Sequence, residues 1–167
     1  MKIKLLNNSG VSMLEMMIVV VVIGLLAAIS LPNFGGAIKK MKFDNEGRDI
    51  VSALRYARSA AITLQQPIGV YFDTYDNEKK AQVFLDRVNI GSDTFEPGDS
   101  LLHSYNLEAS VSYFNATFTG QTVVFQPDGT ASTGGFIVAH ASTDVGPRSF
   151  TIGVTAGSGR VRLDFYN

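Results

Sequence analysis

The sequence predicts an α+β protein in which a long N-terminal helix packs on a C-terminal antiparallel β-sheet head. Three patterns support this fold class. An apolar run with a single charge occupies residues 11–31, an apolar stripe of helical spacing follows it, and alternation of period two begins after residue 66. The helix therefore has a transmembrane half and an amphipathic half, and 167 residues are enough for one domain with this appendage.

The composition excludes several classes of site. Without cysteine, the chain has no thiol nucleophile, no cysteine-ligated metal and no disulfide. His103 and His140 each lack a second ligand at metal spacing, and no catalytic triad, P-loop or dinucleotide fingerprint is present. The acidic residues at 73–78 and 93–99 lack EF-hand spacing, so we interpret them as turns rather than calcium ligands. We predict that the protein is not an enzyme and has no metal or cofactor.

The N-terminal segment has the charge pattern of a membrane anchor. The first ten residues contain Lys2 and Lys4 and no acid, and residues 11–31 contain one charge, Glu15. As a helix, residues 11–31 span roughly 31 Å, which is the hydrocarbon thickness of a bilayer. The two lysines place the N-terminus on the cytoplasmic side, so the chain after Pro32 lies outside.

Two interpretations of this segment differ in where it is cleaved. A secretory signal would be cut after the apolar run, where Ala28-Ile29-Ser30 is a passable site. A retained membrane helix keeps Glu15, whose charged carboxylate costs about 2.5–3.5 kcal/mol at mid-bilayer and has no use in a discarded signal. We therefore favour the retained helix.

The run GVSMLEMMIVVVVIGLLAAISLPNF resembles the signal of type IV pilins and type II secretion pseudopilins. The resemblance implies that a prepilin peptidase cuts after Gly10 and methylates Val11, where the family usually has Phe. It also implies an assembly role for Glu15 and a loosening of the helix at Gly24 and Pro32. The new ammonium and the Glu15 carboxylate are each costly when unpaired in lipid, so pairing between subunits would fix the register of an incoming subunit.

An amphipathic helix is predicted to continue beyond Pro32 to about residue 64 and to end at Gln66-Pro67. Its basic residues lie off the apolar stripe, as expected of a helix that packs on its own sheet. The stripe consists of Ile50, Leu54, Ala57, Ala61 and Leu64, and the basic residues are Lys39, Lys40, Arg48, Arg55 and Arg58.

Alternation and turn residues predict seven strands after this helix, near 68–72, 82–88, 110–114, 122–126, 135–140, 149–155 and 160–165. The chain is thereby divided into four segments. These are a leader peptide at 1–10, a transmembrane and assembly helix at 11–31, a stalk and amphipathic helix at 32–65, and a periplasmic β-rich head at 66–167.

Three head segments, RYARSAAITLQQPI, VVFQPDGT and GSGRVRL, resemble the GspH/FimT branch of the pilin family. Since common major pilins close a C-terminal loop with a disulfide, the lack of cysteine favours a minor pilin or pseudopilin. The resemblance implies a bacterial inner-membrane protein that later enters a filament. It does not distinguish between a type IV pilus and a type II secretion pseudopilus. The implied partners are other pilin or pseudopilin subunits, the prepilin peptidase, the inner-membrane assembly platform and the membrane lipid.

The GRVR sequence near the C-terminus suggests a second function. Arg160 and Arg162 share the strand face opposite Val161. The motif resembles the GRxR motif with which FimT-like pilins linked to natural transformation bind DNA, and Arg148 is a third candidate for holding neighbouring phosphates. The alternative is a solvated strand face that Asp164 partly neutralises. A structural filament subunit and a DNA-binding minor pilin are therefore the two functions to compare.

Overall fold

The computed structural model describes residues 11–74, 79–88, 94–108 and 110–166, without the side chains of residues 29–34. The chain divides into two compact units, Met1–Ala37 and Ile38–Asn167. A single helix, α1 (Met13–Leu64), contributes to both units. The eight strands that follow it all belong to the second unit, and they confirm the predicted α+β class.

One face of α1 is buried within the second unit. Four of the five predicted stripe residues have relative exposures of 1% or less, and Phe43 extends the same face towards the N-terminus. The prediction is wrong for Leu64, which is exposed because α1 ends there and Gln65 turns the chain with a φ of 53°. Pro67 follows within three residues, as expected at a helix end.

The eight strands form two four-stranded sheets, in the orders β3-β2-β1-β5 and β4-β6-β7-β8, and every neighbouring pair is antiparallel. A short 3₁₀ helix, Thr119–Gln121, precedes the fifth strand. The strands are β1 (Ile68–Asp73), β2 (Lys80–Leu85), β3 (Ser100–Asn106), β4 (Val111–Ala116), β5 (Thr122–Phe125), β6 (Gly135–Ala141), β7 (Ser149–Thr155) and β8 (Arg160–Tyr166).

One hydrophobic core joins α1 and the inner faces of both sheets. Phe150 of β7 packs on Phe43 of α1, with ring centroids 5.2 Å apart. Phe72 of β1 meets Phe114 of β4 and Phe118, with centroids 6.2 and 5.8 Å apart. Burial of several large side chains, each contributing about 1.5–3 kcal/mol, is what holds the helix against the two sheets.

All seven predicted strands are present, but the head differs from the prediction in two respects. It contains two sheets rather than one, and it has an additional strand, β3. Most β3 side chains are exposed, with only Ser100 and Tyr105 partly covered. An edge strand that is solvated on both faces has no alternating apolar pattern, so sequence periodicity does not detect it.

Candidate functional site

The first turn of α1 contains the predicted assembly residue. Ser12 caps this helix, because its side-chain Oγ accepts the Glu15 N–H at 3.2 Å and its carbonyl accepts the N–H groups of Glu15 and Met16. Ser12 and Glu15 thus have the spacing of a capping box, whose S-x-x-E pattern is visible in the sequence and marks the start of the helix. The Glu15 carboxylate is exposed and lies beside the positive end of the helix. Gly10 lies outside the described residues.

The first unit exposes its apolar side chains. Every large apolar residue between Val11 and Leu26 is between 46% and 86% exposed. A contiguous apolar surface of this extent marks a region that is covered by another molecule. It also surrounds the Glu15 carboxylate on the helix.

No helix within the described part of the chain is long and apolar enough to cross a membrane. Of the predicted span 11–31, the side chains of residues 29–31 lie outside the described set, as does that of Pro32. The backbone is helical through both Gly24 and Pro32, and a Cβ at Gly24 would meet no atom within 4 Å. A loosening of the helix at these two positions stays a prediction.

The structure brings Arg160 and Arg162 together on the outer face of β8. Both are exposed, while Val161 and Leu163 between and beside them pack towards the core, as predicted. Arg162 Nε donates to Oδ1 of Asp164 at 3.0 Å, and Nη2 lies 2.9 Å from the same oxygen as an ion pair. The other N–H groups of this exposed guanidinium are available to a ligand, and Arg160 has no ion pair among the described residues.

Arg148 does not join this pair. Its Nη1 lies 3.4 Å from Oδ2 of Asp44 on α1, and both side chains are half-buried. Arg148 directly precedes Ser149, the β7 residue that pairs with Tyr166. Arg160 pairs with Thr155 at the opposite end of the two paired strands. The hairpin length between these ends is roughly 20 Å at 3.3 Å per residue. Arg148 therefore contacts α1 and lies at the opposite end of the paired strands from Arg160.

A feature missed from the sequence is that the three family-like head segments meet at Arg58. The Arg58 Nε donates to the Gly129 carbonyl at 2.8 Å, and Nη2 donates to the Ser158 carbonyl at 3.1 Å. We expected Arg58 to lie off the buried face, but these bonds hold it half-buried. At this junction the Gly159 backbone lies so close to the Gly129 carbonyl that a Cβ at Gly159 would overlap it, and a Cβ at Gly129 would press on the Ile62 side chain. The three motifs therefore form one structural joint, which fixes the turn preceding Arg160.

The other turn at this joint, at residues 127–130, is stabilised by Asp128. Its Oδ1 accepts hydrogen bonds from the Thr130 hydroxyl at 2.7 Å and from the Thr130 N–H at 2.9 Å. These bonds favour the carboxylate, so they lower the pKa of Asp128. The turn at residues 127–130 is thus held by the side-chain hydrogen bonds of Asp128.

Two other acidic residues have structural roles in the second unit. Burial raises the pKa of Glu46, although its Oε1 accepts the Glu108 N–H at 3.2 Å. Desolvation would also raise the pKa of Asp99, but N–H bonds from Arg87, Glu96 and Val88 outweigh it and lower that pKa. In the described ranges no three His, Asp or Glu side chains are grouped to hold a metal. Residues 75–78 and 93 of the predicted acidic turns lie outside those ranges.

His103 and His140 pack beside tyrosines on the strands. Ring centroids of His103 and Tyr105 are 4.3 Å apart, and those of His140 and Tyr113 are 5.3 Å apart. The contacts are those of side chains on a sheet surface. Within the described part of the chain, neither histidine belongs to a group of three His, Asp or Glu side chains that could hold a metal.

Comparison with solved structures defines the class of fold. The minor pseudopilin EpsH of the Vibrio cholerae type 2 secretion system matches with a TM-score of 0.56 and 12% identity, covering 72% of this chain and 94% of that one. The type IV minor pilin FimU of Pseudomonas aeruginosa matches with a TM-score of 0.50 and 18% identity, covering 72% and 91%. The long helix joined to a two-sheet head is therefore a pilin-like fold.

The family follows from the sequence of the head. The family model described as type II transport protein GspH matches residues 46–159, which is more than half of the chain. This chain belongs to the GspH family. No curated protein sequence matches it.

Proposed function

We propose that this chain is a minor pilin or pseudopilin, a structural subunit that joins, and helps to initiate or cap, a type IV pilus or a type II secretion pseudopilus. The observation that carries the proposal is an exposed apolar helix with one carboxylate, attached to a GspH-family head. Members of such families are non-catalytic and membrane-associated, and they form filaments. The proposal therefore includes no enzymatic activity and no cofactor.

Maturation begins, in this proposal, with cleavage after Gly10 by a prepilin peptidase and methylation of Val11. Residues 11–31 then anchor the chain in the bacterial inner membrane, with the head from residue 66 onward in the periplasm. The assembly platform transfers the subunit from lipid to the filament, where neighbouring pilin or pseudopilin subunits cover the apolar residues. Burial of this surface in either environment supplies the stabilisation, at about 25 cal/mol per Å² of apolar area.

Intact-mass measurement of the chain in sheared filaments and in membranes tests this function. We expect the mature chain to start at Val11, because the peptidase cuts after Gly10. Removal of these ten residues from 167 leaves 157. Loss of Lys2 and Lys4 changes the formal net charge from −1 to −3. The mass should include one additional methyl group.

The competing secretory interpretation gives a different mass. A chain that starts near residue 31 and is recovered without filaments would overturn the proposal. A Gly10→Val variant is the matched control, because it removes the cleavage residue and leaves residues 11–167 unchanged. It should keep the full mass, remain in the membrane and be absent from filaments.

A second candidate function is DNA binding for natural transformation, and it is favoured by one observation. Arg160 and Arg162 are exposed side by side on β8, and their free donors face solvent. Guanidinium groups in this arrangement bind phosphate oxygens without reading sequence. The −1 net charge of the chain opposes such binding at long range.

Binding of duplex DNA by the detergent-solubilised chain should be weak, with a dissociation constant in the range of about 10⁻⁴–10⁻⁶ M. Because Arg148 is tied to Asp44, we expect two phosphate contacts and a log–log salt slope of about −2. The Arg160→Gln, Arg162→Gln double variant should remove that slope. The Arg48→Gln, Arg55→Gln double variant changes the charge equally on another surface and should keep it. If the unchanged chain binds no DNA at low salt, this second function is excluded.

A further inference from the structure

The four edge strands of the two sheets differ in how their free backbone is protected. In β3 and β4 the pairing register shifts at Leu102 and Ser112, which are β-bulges in the edge strands themselves. Lys79 Nζ also donates to the Val111 and Ser112 carbonyls of β4, at 2.7 and 2.8 Å. Bulges and lysines on edges prevent a further strand from pairing.

The edge of β5 is covered by the chain that follows it. Ser132 N–H donates to the Val124 carbonyl at 2.8 Å, and Ala131 forms an isolated bridge with Phe125. β5 is also only four residues long. Three of the four edge strands are therefore protected. β3 and β4 have bulges, β4 is also bonded by Lys79, and β5 is covered by the chain that follows it.

The fourth edge, β8, has none of these devices. Its seven residues pair with β7 in one uninterrupted register, from Thr155↔Arg160 to Ser149↔Tyr166. It contains no proline and no bulge, and in the described part of the chain no backbone group pairs with its other side between Val161 and Tyr166. A long, regular free edge of this kind is a template for adding a strand.

A groove lies beside this edge, between β8 and α1. Its volume is about 500 Å³, and its lining residues are Arg48, Val51, Ser52, Arg55, Leu163 and Phe165. Leu163 and Phe165 form an apolar wall, and Phe165 is 37% exposed. The groove is therefore open and partly apolar, and two residues of the free strand β8 line it.

Two unpaired arginines give the groove its charge. Arg48 and Arg55 are exposed and seven residues apart, so they lie on one side of α1 about 10 Å from each other. Neither has an ion pair with any described residue. An extended strand repeats its side chains about every 6.6 Å on one face, so two acidic side chains of an added strand can reach both arginines.

We propose that the free edge of β8 and the adjoining groove bind an extended acidic strand of a neighbouring, different filament subunit. The strand would pair with the β8 backbone and direct its acidic side chains at Arg48 and Arg55. This inference rests on the proposed function as a filament subunit and names the chemistry of one partner. It gives the subunit a specific neighbour, in addition to the general packing of apolar helices.

A second copy of this chain is a poorer occupant of the groove. The other edge strands β3 and β4 contain no acidic residue, and the single aspartate of β8 already pairs with Arg162 of its own chain. These strands of a second copy would therefore bring no free carboxylate to Arg48 and Arg55. Charge complementarity favours a partner with an acidic strand.

Hydrogen exchange of the detergent-solubilised full chain with model peptides tests the proposal. The probe is a capped heptapeptide of alternating glutamate and valine, and the control replaces each glutamate with lysine. We expect the glutamate peptide to protect backbone amides of β8 and not those of β3 or β4. The lysine peptide should give no protection at the same concentration.

Variants of the arginines test whether the acidic side chains of the bound peptide contact Arg48 and Arg55. The Arg48→Gln, Arg55→Gln variant should weaken binding about five-fold, the effect of two exposed ion pairs. The Arg160→Gln, Arg162→Gln variant removes equal charge from the outer face of the same strand and should change binding less. Equal protection by both peptides, protection only at β3 or β4, no protection, or a larger effect of the outer arginines would overturn the proposal. Filament incorporation of the same chain is scored separately, so loss of this inference leaves the subunit function standing.

Discussion

Gly159→Ala should destabilise the head by about 3 kcal/mol or more, because the substitution combines two unfavourable effects. Gly159 has a φ of +59°, where a residue with a Cβ is strained. The new Cβ would also overlap the backbone carbonyl oxygen of Gly129, which cannot rotate away as a side chain can. That same carbonyl accepts the Arg58 Nε bond, so a shift of the turn would break the link to α1 as well.

Thermal unfolding followed by circular dichroism measures this effect, and we expect a decrease in melting temperature of about 10 °C. Gly157→Ala is a matched control two residues away. Its φ is +74°, but a Cβ there meets no atom within 4 Å, so only the backbone strain of about 1 kcal/mol applies. Equal effects of the two substitutions would contradict the close approach of the Gly129 and Gly159 turns.

Glu15→Ala should nearly abolish entry into filaments while leaving cleavage after Gly10 and membrane insertion unchanged. The substitution removes the only carboxylate in residues 11–31 and thereby the partner for the Val11 ammonium of an adjacent subunit. It also makes the segment more apolar, which favours insertion by up to about 3 kcal/mol. The ratio of this chain in sheared filaments to that in membranes is the measurement.

Ser12→Ala separates assembly from helix capping. Since Ser12 accepts the Glu15 N–H, its loss weakens the first turn of α1 by about 1 kcal/mol and leaves the Glu15 carboxylate in place. We expect Ser12→Ala subunits to enter filaments almost normally. If both variants are excluded equally, Glu15 acts through the helix end and not through an intersubunit pair. Normal entry of Glu15→Ala subunits would remove the pairing hypothesis altogether.

Much of the fold could be predicted because its causes are local in the sequence. Ile50, Leu54 and Ala57 recur at helical spacing, and the structure buries all three. β7 has the predicted boundaries, since Phe150 and Ile152 alternate with polar residues. β3 was not predictable in this way, because a solvated edge strand is held by its pairing with β2 rather than by its own side-chain pattern.

The sequence alone was sufficient for the α+β class, the helix carrying Glu15, the last two strands and the outward position of Arg160 and Arg162, since periodicity and spacing determine these features. Only the tertiary structure decided that the head has two sheets, that Arg148 pairs with Asp44 away from the GRVR face, and that Arg58 joins two distant turns. It also decided which of four edges stays free. These features depend on contacts between residues far apart in the chain, and such contacts leave no local pattern for the sequence to display.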